Sequence, residues 1–126
     1  MPTVADYAVL SDGSFVLENG EEHELQPFFA PDGFVAGTNL AKAILAYKAQ
    51  ALSSPPFAPQ AELEITGSVF QTPVHNVTIA GDTLRGLWEA FPATGFGQNI
   101  GTIFRFRSIS GRVRISDVVL WYQISV

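Results

Sequence analysis

Gly95-Phe96-Gly97-Gln98-Asn99-Ile100-Gly101 leads into Thr102 to Ser108, a Ser110-Gly111 turn, and then Arg112 to Val126. Apolar and polar residues alternate through this last third with period two, the pattern of half-buried strands. Phe104 and Phe106 fall on one face, and Ile103, Arg105 and Arg107 on the other. Beyond the turn, Val113 and Ile115 continue the apolar face while Arg112 and Arg114 continue the polar one. In the final strand Val118, Leu120, Tyr122, Ile124 and Val126 share one side, and Val119, Trp121, Gln123 and Ser125 the other. These terminal ribbons predict a sheet protein, read here as a closing hairpin.

Working outward, Val4 to Leu10 and Ser14 to Leu17 read as two short strands around Ser11-Asp12-Gly13. Asn19-Gly20 is a favoured two-residue hairpin turn, so Glu24 to Phe29 is expected to be a returning strand within an N-terminal hairpin over 1–37. Pro27, Pro31, Gly33 and Gly37 break up the chain, which predicts a loop over 28–37 carrying buried aromatics. Leu40, Ala43, Ile44, Tyr47 and Ala51 recur at helical spacing behind Thr38 or Asn39 as cap, so the spacing predicts one short α-helix, about 39–52. The Pro-rich stretch over 53–60 ends that helix, because proline cannot continue its hydrogen-bond ladder. The β core then spans 61–126. In it, Ala61 to Thr66 alternates with Leu63 and Ile65 inward, Val74 to Ala80 is another strand, and Gly81-Asp82 a turn. Thr83 to Phe91 fits a helix face or an extended chain, and Gly86 with the flanking strands favours the strand. Pro92 to Gly101 is a rim loop. The architecture expected is a single all-β domain, an antiparallel β-sandwich of jelly-roll type, with a small barrel as second choice.

The chain has 126 residues, enough for one sizeable core. Charged residues make up only 15% of it, well below the usual quarter, so the surface is expected either to be covered in part by other subunits or a partner, or to be a neutral polar sheet surface of Ser, Thr, Gln and Asn. No cysteine is present, which excludes disulfides, thiolate catalysis and cysteine metal sites. No apolar run approaches a membrane span, and Met1-Pro2-Thr3 carries no basic leader. The net charge is −5, distributed as an acidic front (Asp6, Asp12, Glu18, Glu21, Glu22, Glu24, Asp32) and a basic rear (Arg105, Arg107, Arg112, Arg114). Nucleic-acid binding is not expected without a larger positive excess.

Gly111-Arg112-Val113-Arg114-Ile115-Ser116-Asp117-Val118-Val119-Leu120-Trp121-Tyr122 resembles the closing strands of galactose-binding-like jelly-roll modules, among which are many carbohydrate-binding modules. Those have an Ile-Asp-Asp-Val type segment leading into the final strand; Ser116 stands at the first acid here and Asp117 matches the second. The resemblance implies a jelly roll and sugar binding. It covers about 25 residues and does not place the expected helix.

No reaction is written in the sequence. His23 among Glu21, Glu22 and Glu24 cannot bring all its neighbours to one point, because adjacent strand residues face opposite ways, so no metal or cofactor is expected. His75 has no spaced partner and reads as a rim histidine. There is no Gly-x-Ser-x-Gly elbow, and no carboxylate pair can be placed by sequence. Asn76-Val77-Thr78 fits a glycosylation acceptor, of consequence only in a eukaryotic secretory protein. Trp121 with Gln123 offers a ring beside an amide, the pairing that sugars use, against core or subunit packing for the same ring. Trp88 and the rim residue Asn99 are weaker candidates of the same kind. Arg105 and Arg107 are expected to face Arg112 and Arg114, which requires compensation by Glu62, Glu64, the acidic segment of this or another chain, or an anion. The functional expectations are, in order, a non-catalytic subunit of a larger assembly such as a virion decoration or fibre protein, a carbohydrate-binding module, and a small β-barrel isomerase or cyclase. For the first, the partners are further copies or other subunits.

Overall fold

The chain forms eight strands in two four-stranded antiparallel sheets, seen in a computed structural model that describes residues 2–36, 42–52, 60–68 and 75–126. The strands are β1 (Thr3–Leu17), β2 (Glu22–Glu24), β3 (Lys42–Ala51), β4 (Gln60–Gly67), β5 (His75–Ala80), β6 (Arg85–Pro92), β7 (Phe104–Ser110) and β8 (Val113–Ser125). The first sheet runs β1-β8-β3-β6 and the second β2-β7-β4-β5. Only β4 and β5 are both consecutive in sequence and paired in one sheet; every other connection crosses the sandwich. That is jelly-roll topology, two sheets closed over one core.

The core lies between the sheets and is set by the period-two alternation. Phe104, Phe106, Leu63, Ile65, Val113, Ile115 and Leu120 are all fully buried. Tyr47 and Phe106 meet edge to face across the gap at 5.3 Å, and Phe91 and Phe104 at 5.1 Å. Phe28, Phe34, Phe96 and Tyr122 close one end, where Phe28 bridges to Thr102 and Phe34 to Ile124.

Several expectations are corrected. Residues 42–51 of the expected helix form β3 instead, while 37–41, with the proposed caps and Leu40, lie outside the described residues. Ala43, Leu45, Tyr47, Ala49 and Ala51 are buried on one side, and Lys42, Ile44, Ala46 and Lys48 point outward. Placement between β8 and β6 overrides the helical preference of alanine, because a central strand gains ladders on both edges. Among the described residues the one helical piece is a 3-10 turn at Ala93–Gly95. The strands at 4–10 and 14–17 are one strand, β1, whose pairing with β8 shifts around Ser11 to Ser14. Asn19-Gly20 does turn the chain, with Gly20 at φ 85° and the Glu21 N–H donating to the Glu18 carbonyl. It carries the chain from the first sheet to the second, so residues 1–37 are not a hairpin. Ser110-Gly111 does the same in reverse, so β7 and β8 do not pair. Most of the Pro-rich stretch, 53–59, lies outside the described residues.

In β8 the buried positions switch from odd (Val113, Ile115) to even (Val118, Leu120, Tyr122). Between Ala46 and Lys48 of β3 the facing segment of β8 has one residue too many, and Asp117 there takes φ 53°. This bulge keeps the same outer face on both sides of the irregularity. Without it, Trp121 and Gln123 would turn into the core.

Candidate functional site: the outer face of the first sheet

Register places the exposed side chains of the first sheet in rows. One row reads Tyr7, Trp121, Ile44, Ala90 and the next Val9, Val119, Ala46, Trp88. Tyr7 and Trp121, on neighbouring strands, touch with ring centroids 5.0 Å apart. Tyr7 is 54% exposed, Trp121 43% and Trp88 65%, so three large rings face water on one sheet. Rings left this open gain little from folding, which makes this face the candidate site. Gln123 stands outward beyond Trp121, opposite Ala5. Asn99 is also exposed but sits on the loop before β7, which packs at Gly101 against Pro27 and Phe29, and is not part of the aromatic rows.

The four arginines do not face one another, because β7 and β8 belong to different sheets. Arg105 and Arg107 lie on the second sheet. Arg105 bonds Glu24 and lies 3.6 Å from Glu22, and Arg107 is 3.9 Å from Glu64. The hydrogen bond from Arg105 to Glu24, and the charges of Glu22 and Glu24, hold its guanidinium above its ordinary range. Arg112 pairs with Glu18 at 2.8 Å. Arg114 is exposed on the first sheet between Val16 and Gln50 and has no ion pair among the described residues. Arg105 and Arg112 thus pair with acids of the N-terminal segment of the same chain, and Arg107 with Glu64.

Sequence reasoning missed a polar cluster at the edge where β5 and β6 approach. The Glu89 carboxylate accepts a hydrogen bond from the Tyr47 hydroxyl at 3.1 Å, and its other oxygen lies 3.1 Å from His75 Nδ1. His75 packs at a tilt against Phe91, ring centroids 4.5 Å apart, and its Nε2 is buried with no partner among the described residues. Burial first, then the Glu89 charge and hydrogen bond, push the Tyr47 hydroxyl far above its ordinary range. Glu89 ties an edge strand of each sheet together. The separation of 14 residues between His75 and Glu89 follows no local motif, so only the fold reveals the pair. Among the described residues no group of three His, Cys, Asp or Glu converges as metal ligands do. A shallow depression on the second sheet, lined by Glu62, Asn76, Val77, Thr78 and Ile109, measures about 240 Å³. Among the described residues no helix is long and apolar enough to cross a membrane.

No family model matches the chain, and no curated protein sequence does. Solved structures do resemble it. The C-terminal CBM6 of LamC, a marine laminarinase from Zobellia galactanivorans, matches with TM-score 0.55 and 10% identity over 96% of this chain and 99% of that one. Dimeric latent PorU from Porphyromonas gingivalis matches with TM-score 0.53 and 10% identity over 99% of this chain, which spans only 13% of PorU. A Family 16 Carbohydrate Binding Module-2 matches at TM-score 0.41 and 10% identity, over 90% of this chain and 85% of that one. The fold is therefore the jelly-roll sandwich that the closing strands resemble, shared with a carbohydrate-binding module over nearly its whole length.

Proposed function

We propose that this chain is a non-catalytic carbohydrate-binding module that holds sugar on the outer face of its first sheet. The observation that carries the reading is the set of three exposed rings, Tyr7, Trp121 and Trp88, standing on neighbouring rows of one sheet. Sugar rings have apolar C–H faces that stack on aromatic rings, and Gln123 adds an amide that both donates and accepts at their hydroxyls. The fold supports the same reading, since a carbohydrate-binding module shares it. Fold alone does not select it, because jelly rolls serve capsid and lectin domains alike.

Glycan-array binding checked by tryptophan fluorescence tests this. Binding to at least one glycan class, lost in Trp121→Ala, is expected; silence across the array would refute it. The second reading, a subunit of an assembly, draws on the same face, where Val9 is 47% exposed beside the rings. The intrachain pairing of Arg105, Arg107 and Arg112 with acids removes the charge argument for it. Light scattering separates the two: association that rises with concentration and is abolished by Trp88→Ala would favour the assembly, and a monomer at all concentrations the module.

A further inference from the structure

The charge on the aromatic face is opposite in sign to that of the chain. Lys42, Lys48 and Arg114 all point outward on the first sheet, with Arg112 at its margin. Of the carboxylates there or at its margin, Asp117 lies 3.3 Å from Lys48, Glu18 pairs with Arg112, and Asp12 is exposed in the irregular stretch of β1 opposite Asp117. Lys42 and Arg114 are left with no ion pair among the described residues, on a protein of net charge −5. The cations also have an arrangement. Ile44 and Ala46, both half-buried, form a floor along β3, with Trp121 beside Ile44 and Trp88 beside Ala46. Lys42 and Lys48 stand at the two ends of that floor, about 20 Å apart by strand rise.

We propose that the ligand of this face is an acidic polysaccharide, a chain of carboxylate-bearing sugars lying along β3 with its rings against Trp121 and Trp88. The inference rests on the carbohydrate reading above and adds its substrate class. Ammonium and guanidinium groups donate hydrogen bonds and accept none, so they match the carboxylates of uronate units better than neutral hydroxyls. The two uncompensated cations, Lys42 and Arg114 (the latter opposite Gln50), stand about 26 Å apart along β3, a span that calls for a polymer segment longer than a single sugar. The overall negative charge does not oppose this. Three of the acids, Glu22, Glu24 and Glu64, lie on the other sheet, paired with Arg105 and Arg107, about 10 Å through the core from this face.

The test is calorimetric titration of the full chain with oligogalacturonate and with cellohexaose, a neutral chain of comparable length, at low and at physiological salt. Oligogalacturonate is expected to bind at least tenfold more tightly than cellohexaose and to weaken as salt rises. The Lys42→Gln/Arg114→Gln double variant, changed only at exposed positions, is expected to lose most of that preference and flatten the salt dependence while keeping its circular dichroism. Equal binding of the two sugars would overturn the charge inference and leave the carbohydrate reading standing. Binding of neither would overturn both. Equally tight binding of a single-stranded oligothymidylate would overturn the choice of polysaccharide over nucleic acid.

Discussion

Replacing Tyr47 by phenylalanine should lower stability at neutral pH and raise it, relative to the parent, in strong alkali. Tyr47 is 2% exposed and its hydroxyl donates to Glu89 at 3.1 Å. A hydrogen bond to a charged acceptor contributes about 1.5–3 kcal/mol, and the length and partial burial of this one place the loss near 1.5 kcal/mol at pH 7. The alkaline limb follows from linkage. The folded protein holds the Tyr47 proton well above the ordinary tyrosine range, chiefly by burial and next by the Glu89 charge. The unfolded chain releases it near pH 10. Above that pH the native state binds one proton more than the unfolded state, so stability falls with rising pH, by about 1.4 kcal/mol per unit. Phenylalanine has no proton to hold and lacks this slope. The two stability curves should therefore cross near pH 11, about one unit above the tyrosine value. Urea unfolding followed by far-ultraviolet circular dichroism at pH 7, 9, 10.5 and 11.5 measures both, and the difference between variants isolates the Tyr47 contribution. If Tyr47→Phe costs as much at pH 11.5 as at pH 7, the buried Tyr47–Glu89 contact is wrong.

Other outcomes are as specific. Glu89→Ala should cost about 2–4 kcal/mol in urea unfolding, because it strands the buried Tyr47 hydroxyl and the His75 ring at once; a loss below 0.5 kcal/mol on the ~1–3 kcal/mol scale for one stranded group would mean that the cluster is not formed. Gly111→Ala should cost about 2 kcal/mol or more: Gly111 has φ 83°, and a Cβ would press on the Gln60 carbonyl and lie 3.0 Å from Ala61 Cα. A wild-type melting temperature in that variant would remove the tight crossing between sheets. Asp117→Gly should be within about 1 kcal/mol of neutral, since relief of positive φ offsets the loss of an exposed pair with Lys48. Trp121→Ala should lower stability by only about 1 kcal/mol, the scale of its contact with Tyr7, while removing sugar binding; a multi-kilocalorie loss would show that the ring is structural.

Strand positions were legible where alternation is strict and side chains are large. Phe104 and Phe106, Leu63 and Ile65, and Val113 and Ile115 all point inward as the period-two pattern requires. Pairing partners were not legible, because a Ser-Gly or Asn-Gly turn looks the same whether it closes a hairpin or steps between sheets. Gly20 and Gly111 supply the same positive φ in both cases. The missed strand β3 shows a different limit. Ala43, Tyr47 and Ala51 fit helical spacing, and Ala43, Leu45, Tyr47, Ala49 and Ala51 fit alternation equally; only burial between β8 and β6 decides. Within the site, Trp121 and Gln123 were readable from the alternation of β8. Tyr7, which touches Trp121 from 114 positions away in sequence, and the flanking Lys42 needed the register of the sheet.

The most direct test of the proposed sugar-binding face is a nitrogen-15 spectrum of the chain titrated with oligogalacturonate and, separately, cellohexaose. The indole N–H signals of Trp88 and Trp121, together with backbone signals of Ile44 and Ala46, should shift and saturate with at least one of them. Stationary signals with both sugars, or shifts confined to the second sheet around Glu62 and Thr78, would contradict the assignment of the site.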